Sequence, residues 1–277
     1  MRALLAAGLA LATAGLAAPA WAGAWVRDDG EGLAILKYSH WRASDAFDDD
    51  GSRVPFPDGG RSRLGQLNLY LEYGASERIT LVGNFYANRV EYRSRTFEGQ
   101  NTGLGDQEFG LRYRLGSASA DSPWVSAVQG LANVPGYDSD DVPALGLGGG
   151  GFELRYSAGR PFAWGARNGY VDLGAALRRR AGNPADEVRA DAVVGLALAQ
   201  DWQGIAELNL IKGLGNGRGY NPVNFIDSND YDLAKVQLSA LRSFGPAARL
   251  QLGYSHDIAG RNTGAGGGPF VALWWFF

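Results

Sequence analysis

The sequence has no cysteine, only two histidines, and a single methionine at its start. Without thiols there is no disulfide scaffold, no thiolate nucleophile and no Cys-ligated zinc or iron–sulfur centre. Two histidines leave little room for a multi-histidine metal site. Positive charge is not in surplus either. Lys and Arg number 26 against 29 Asp and Glu, a net charge of −3, so no basic face for nucleic acid is implied. Glycine is abundant, at 41 of 277 residues, but it follows no Gly-X-Y period, which excludes collagen. Beyond the first 22 residues no apolar run is long enough for a transmembrane helix. The longest clean one, Val193–Ala199, is far short of a helical span. Helical periodicity is scarce throughout.

The N-terminus reads as a targeting segment. Arg2 supplies a positive start, Ala3 to Leu16 is uncharged and apolar, and Ala20-Trp21-Ala22 is a small-x-small cleavage site. The expected division is a cleaved signal peptide over 1–22 and one folded unit over 23–277, with Gly23 as the mature start. No cysteine follows the apolar run, so a lipoprotein is not expected.

What recurs along the rest of the chain is alternation of apolar and polar residues with period two. At the C-terminus Val271, Leu273, Trp275 and Phe277 share one face. Leu250, Leu252 and Tyr254 alternate with Arg249, Gln251 and Ser255. Phe152, Leu154 and Tyr156 alternate with Glu153, Arg155 and Ser157, and Phe109, Leu111 and Tyr113 with Glu108, Arg112 and Arg114. Twelve such units can be marked, at about 31–42, 61–73, 78–92, 103–115, 122–134, 147–159, 168–178, 187–198, 202–213, 230–243, 248–258 and 268–277. Their length suits tilted strands crossing an outer membrane. Connections at 43–60, 93–102, 135–146, 179–186, 214–229 and 259–267 are long. Those at 74–77, 116–121, 160–167, 199–201 and 244–247 are mostly tight. Long loops on one side and short turns on the other predict an all-β, transmembrane, antiparallel up-and-down barrel of about 12 strands in the outer membrane of a Gram-negative bacterium. A soluble sandwich, the competing reading, has shorter strands. Tyr73, Tyr113, Trp124, Trp164, Trp202 and Phe244 fall near the turn-side strand ends, where a barrel carries its aromatic girdle.

Tyr-Ser-His occurs at 38–40 and 254–256, and Asp257 follows the second copy. Neighbouring strand residues point to opposite faces. Ser255 and Asp257 would therefore face inward and His256 outward, out of nucleophile–base reach. Neither histidine has a serine two positions away. No catalytic residue, metal ligand or cofactor is expected. The glycine-rich stretches 213–219 and 146–151 open no helix after a parallel strand, so they read as loops and close strand approaches rather than phosphate cradles. Asp45, Asp48, Asp49, Asp50 and Asp58 crowd the first long loop, and Asp138, Asp140 and Asp141 the third. They read as solvated loop charge, with binding of divalent cations that bridge lipopolysaccharide as the alternative.

The inward row is the most informative. A positive charge facing lipid at mid-membrane costs about 2–4 kcal/mol, so the alternation assigns Lys37, Glu72, Glu108, Arg112, Arg114, Glu153, Arg155, Asp172, Arg178, Glu187, Arg189, Asp191, Glu207, Lys235 and Arg249 to the lumen. Two outcomes remain open from sequence: charges lining a narrow wet channel, or a closed salt-bridged core. The inward row of the last unit, Phe270, Ala272, Trp274 and Phe276, is apolar and suits a hydrophobic or aromatic ligand. The expected partners are outer-membrane lipid and lipopolysaccharide, the barrel-assembly machinery through the terminal Phe277, and a small-molecule solute, with no nucleic acid.

At Thr102-Gly103-Leu104-Gly105-Asp106, followed by Gly110-Leu111-Arg112-Tyr113-Arg114-Leu115, the chain resembles the meta-pathway phenol-degradation-like outer-membrane transporter family. The start Gly23-Ala24-Trp25, with Gly30-Glu31-Gly32 after it, resembles a related group of Gly-Ala-Trp barrels, some of them encoded near exopolysaccharide genes. The resemblance implies a channel or facilitator for small, often hydrophobic or aromatic, molecules. The other function to weigh is a non-transporting surface barrel, an adhesin or exopolysaccharide-associated envelope protein working through its acidic loops.

Overall fold

A computed structural model of the chain describes residues 23–119, 122–138, 141–219 and 228–277. The proposed signal peptide and Asp140 lie outside the described residues. In chain order the strands are β1 (Gly32–Phe47), β2 (Arg53–Pro55), β3 (Arg61–Ser76), β4 (Ile79–Arg93), β5 (Glu98–Leu104), β6 (Asp106–Gly116), β7 (Val125–Pro135), β8 (Gly151–Trp164), β9 (Arg167–Arg180), β10 (Glu187–Ala199), β11 (Trp202–Gly213), β12 (Asp232–Ser243), β13 (Ala248–Arg261) and β14 (Thr263–Phe276). Each wall strand pairs antiparallel with its sequence neighbour, and β14 returns to pair with β1 from Leu33↔Phe276 to Phe47↔Thr263. The result is a closed antiparallel barrel of 12 wall strands. The short β2 folds back on the end of β1.

Alternation becomes two faces. Leu36, Tyr38, Leu67, Leu69, Leu111, Leu154, Leu173 and Leu273 stand on the outside, exposed. Such an apolar belt on a closed barrel is what lipid requires, since the bilayer satisfies no backbone amide and solvates no charge. At the end that holds both termini, Tyr73, Trp124, Trp164, Trp202 and Phe244 are exposed. Arg160 lies over the Trp124 ring at 5.7 Å, and Arg242 over Trp202 at 5.5 Å and Phe244 at 5.0 Å. This is the interfacial arrangement of an amphipathic rim.

Two connections and one strand differ from the sequence expectation. The long connection expected at 259–267 is a turn at Asn262 alone. Asn262 takes a positive φ of 52°, which asparagine tolerates, and donates through Nδ2 to the Asp230 carbonyl at 3.1 Å. The connection expected at 93–102 shrinks to 94–97, because β5 forms a hairpin with the far half of β4, Ala87↔Leu104 to Arg93↔Glu98. The unit expected to be continuous over 103–115 is broken at Gly105. Before the break the odd residues Asn101 and Gly103 share a face. After it the buried residues are the even Glu108 and Arg112, while Leu104 and Phe109 both stay outside. A one-residue bulge changes the parity and keeps both halves correctly faced. A Cβ on Gly105 would sit 2.5 Å from Asn88 Nδ2, so a larger residue would push that amide off the Leu145 carbonyl it donates to.

The seam carries the terminal aromatic. Gly32 N–H donates to the Phe277 carbonyl at 2.6 Å and Phe277 N–H to the Gly32 carbonyl at 3.1 Å, while the ring itself stays exposed on the outside. Deleting Phe277 removes both bonds at the end of the closing pair. The expected outcome is a lower heat-modifiability midpoint on gels and less protein in the outer-membrane fraction; unchanged values for both would show that β14 closes without it. Topology is tested separately. An epitope inserted at Asp49 is expected to label on intact cells, and one between Ala75 and Ser76 only after permeabilisation.

Candidate lumen site

The barrel interior is stratified. Nearest the termini, Leu33, Ile35, Tyr170, Val193, Ile205, Leu241, Ala272 and Trp274 form a buried apolar cluster, with Trp25, Tyr70 and Phe276 packed against it. Wall side chains alone do not fill a bore of this size, which lies between a filled eight-stranded barrel and an open porin. The chain ahead of β1 completes the filling. Trp25 meets Tyr170 edge-to-face, with ring centroids 6.2 Å apart. It reaches the wall because Gly159 leaves room: a Cβ there would lie 2.2 Å from the indole.

Polar wall groups tether the same segment. Ala24 N–H donates to Asp172 Oδ2 at 2.9 Å, Arg27 N–H to Thr80 Oγ1 at 2.8 Å, and Arg27 Nε to Glu72 Oε2 at 2.6 Å. Arg112 is the hub. Its Nη1 donates to Glu72 Oε1 at 2.8 Å and to the Trp25 carbonyl at 2.9 Å, its Nε to Gln129 at 3.1 Å, and its Nη2 to Tyr70 Oη at 3.1 Å. Tyr70 in turn donates to Glu72 at 2.6 Å. Arg114 lies 3.8 Å from Asp28. Of the two outcomes left open for Arg112, the structure has the paired one. Its charge holds residues 23–31 rather than facing open water.

A second set of charges runs up the wall over β6, β8, β9 and β10. Register places Glu153 opposite Arg178 and Arg178 opposite Glu187. Arg178 Nη2 contacts Glu108 at 2.5 Å and Glu153 at 2.8 Å. Arg155 pairs with Glu153 at 3.0 Å and also with Asp191. Glu187 takes Arg189 at 2.6 Å and Arg180 at 2.7 Å. On the opposite wall Lys37 donates to Gln237 at 3.1 Å and lies over Phe270 at 4.1 Å, and Gln237 donates to Glu207 at 3.0 Å. Lys235 approaches Asp257 at 3.8 Å, and Trp41 Nε1 donates to Asp257 at 2.7 Å. Arg249 stands over Phe276 at 4.5 Å, at the terminal end.

Between these charges, on the loop side, is a cavity of about 440 Å³. Trp41, Leu64, Val90, Ile211, Leu233 and Phe270 supply apolar lining, and Lys37, Lys235, Arg178, Arg180, Arg189, Asp106, Glu108 and Asp257 charged lining. The loop segment 141–150 bends into it. Leu145 and Leu147 line the cavity, Asn88 Nδ2 donates to the Leu145 carbonyl at 2.8 Å, and Tyr137 Oη donates to Asp106 at 2.9 Å. Of the apolar row of β14, Phe270 reaches the cavity, while Ala272 and Trp274 are sealed in the layer beneath it. Residues 23–27 and the inbent loop are the parts of this site that strand alternation could not reveal. The Gly-Ala-Trp start was the available signal for the first.

The loop acids close their own loops. Asp48 accepts from Ser52 N–H at 2.7 Å and Asp50 N–H at 3.1 Å, and Asp45 pairs with Arg53 at 2.9 Å. In the connection 181–186, Asp186 accepts from Arg180 N–H at 2.7 Å and from Asn216 Nδ2 at 3.0 Å. The Arg180 amide is the main cause that holds the Asp186 carboxyl below the usual range.

The sequence matches no protein-family profile and no curated protein. Solved structures share the architecture. The COG4313 outer membrane channel from Pseudomonas putida F1 aligns with a TM-score of 0.64 at 17% identity, over 92% of this chain and 98% of that one. The β domain of the Bordetella autotransporter BrkA aligns at 0.50 and 12% identity, over 90% and 100%. At these identities the likeness is one of fold: that of outer-membrane barrels.

Two measurements check this geometry. Arg112→Glu leaves Glu72 and a new carboxylate facing each other in a dry site, and breaking a buried pair costs roughly 3–5 kcal/mol. A large fall in the unfolding midpoint is expected, and an unchanged midpoint would place Arg112 in water. Because the folded Asp186 carboxyl is depressed, its contribution is complete above the ordinary carboxylate value, about pH 4, and is lost as pH falls through the lower folded value. The protection factor of the Arg180 amide, which donates to that carboxylate, is therefore expected to fall below that pH and to stay constant between pH 6 and 8, once intrinsic exchange at each pH is divided out.

Proposed function

We propose that the protein is an outer-membrane channel for small molecules, hydrophobic and aromatic ones among them, and that residues 23–31 form its inner barrier. The observation that carries this reading is the stratification of the lumen. A cavity with mixed apolar and charged lining lies on the loop side, and beneath it sits an apolar layer completed by a segment the wall holds only through side chains and a few backbone bonds. About 440 Å³ is within the range of small-molecule sites. Trp41, Leu64, Leu233 and Phe270 offer a flat-ringed or aliphatic molecule contact area. The paired charges beside them keep the space hydrated without presenting one bare sign. The lumen residues named above set which solutes pass, through ion pairs that already satisfy one another. The fold likeness to a solved outer membrane channel supports the same reading, as does the resemblance carried by Gly103, Gly105 and Asp106.

Planar-bilayer recordings test it. The intact chain is expected to conduct weakly, and a chain lacking residues 23–29 about tenfold more, since pore cross-section controls conductance. In proteoliposomes a small monoaromatic solute is expected to enter faster than a sugar of similar size. Equal entry rates together with unchanged conductance after the deletion would remove the channel reading.

A further inference from the structure

The carboxylate that receives the N-terminal segment is short of a cation. Asp172 projects inward from β9 and is 1% exposed. Its Oδ2 accepts one hydrogen bond, from Ala24 N–H, and among the described residues it has no ion pair. The charges around it are committed elsewhere: Arg112 to Glu72, and Arg155 to Glu153 and Asp191. A buried carboxylate with a single neutral donor is costly, so either it is uncharged or a further cation reaches it.

Gly23 is placed to supply that cation. A Cβ built on Gly23 would lie 2.7 Å from Ser157 Oγ and 3.8 Å from Asp172 Oδ1, so the backbone of Gly23 lies beside both groups. Ser157 is 2% exposed. The nitrogen of Gly23 is at most about 3.6 Å from that of Ala24 by covalent geometry, and Ala24 N–H is already bonded to Asp172. Within an uncut chain this nitrogen is an amide with one proton and no charge. The sequence, read alone, places a leader-peptidase cut between Ala22 and Gly23. Water adds across that peptide bond, leaving a carboxylate on Ala22 and an amine on Gly23 that takes a proton at neutral pH.

We propose that Asp172 and Ser157 form a binding site for the α-ammonium group of Gly23, created by removal of the leader. The cut makes the cation that the buried carboxylate lacks, and the new ion pair with its hydrogen bond to Ser157 fixes residues 23–27 in the lumen. Processing and closure of the bore are then one event: an uncut chain cannot form the pair. The proposal rests on the expected cleavage and on residues 23–31 acting as the inner barrier. Small residues before Trp25 suit this seat, since a Cβ at Gly23 would push the Ser157 hydroxyl aside and Ala24 is buried at 1% exposure.

Three measurements decide it. Intact mass of protein from outer membranes is expected to give a chain starting at Gly23; any other start overturns the proposal at its premise. Chains starting at Gly23 are next refolded in detergent and treated with an amine-acylating reagent at neutral pH. The Gly23 amine of the parent is expected to react about tenfold more slowly than that of Asp172→Asn, as expected of a group released by local opening. Equal rates would overturn the seat. Should Asp172→Asn fail to fold, a chain with one alanine added before Gly23 leaves the wall untouched and displaces the amine. It is expected to show faster acylation, a lower heat-modifiability midpoint and more frequent channel openings. Acylation no faster than in the parent, with an unchanged midpoint, would overturn the pairing; where Asp172→Asn does fold, the two changes combined are expected to be less than additive, because both remove one interaction. Acylation is read in detergent without any transport, so a protected amine in a non-conducting barrel would retain the seat and remove the channel reading.

Discussion

Lipid offers no partner to a backbone amide, and the pairing of β14 with β1 is where this chain meets that constraint. Once the two strands meet, no edge is left and every wall residue must choose one of two faces. Leu33, Ile35 and Lys37 go in, and Leu36 and Tyr38 go out. The same constraint explains the bulge at Gly105. The wall strand formed by β5 and β6 pairs with β4 along both halves but changes parity between them, and a residue without a side chain lets the outer face remain apolar on both sides of the break. The aromatic rim and the terminal Phe277 are local consequences of ending such a wall at a water interface.

Closure also forces the charges together. Inward-facing Arg and Glu from several strands stand a few ångströms apart inside the bore, where an unmatched buried charge is expensive. They resolve into ladders: Arg178 between Glu108 and Glu153, Glu187 between Arg180 and Arg189, and Arg112 between Glu72 and the Trp25 carbonyl. A twelve-stranded bore remains too wide for these to fill. The chain ahead of β1 fills the terminal end with Trp25, and the loop segment 141–150 narrows the other with Leu145 and Leu147. What is left between them is the cavity.

Much of this was legible in the sequence, and the rest was hidden for identifiable reasons. Period-two alternation determined the class and the number of wall strands, because lipid enforces it strand by strand and each strand carries its own copy of the signal. Loop lengths were less well determined. Asn262 turns a chain that looked like a long loop, since Gly264, Ala265 and Gly266 extend β14 without an apolar pattern to announce it. The geometry that separates Ser255 from His256 was likewise local and could be derived from the strand alone.

Most of the pairing could not be derived so, because partners such as Arg178 and Glu108, or Arg155 and Asp191, lie on different strands and meet only through register and the curvature of the wall. Nor could the sequence say that Gly23-Ala24-Trp25 lies inside the barrel. Three residues have no periodicity, and their place depends on a gap at Gly159, a ring at Tyr170 and a carboxylate at Asp172, all more than 130 positions away. The sequence by itself determined a membrane barrel and its two faces. The tertiary structure decided what fills it, because filling depends on the volume left over once all twelve strands have closed.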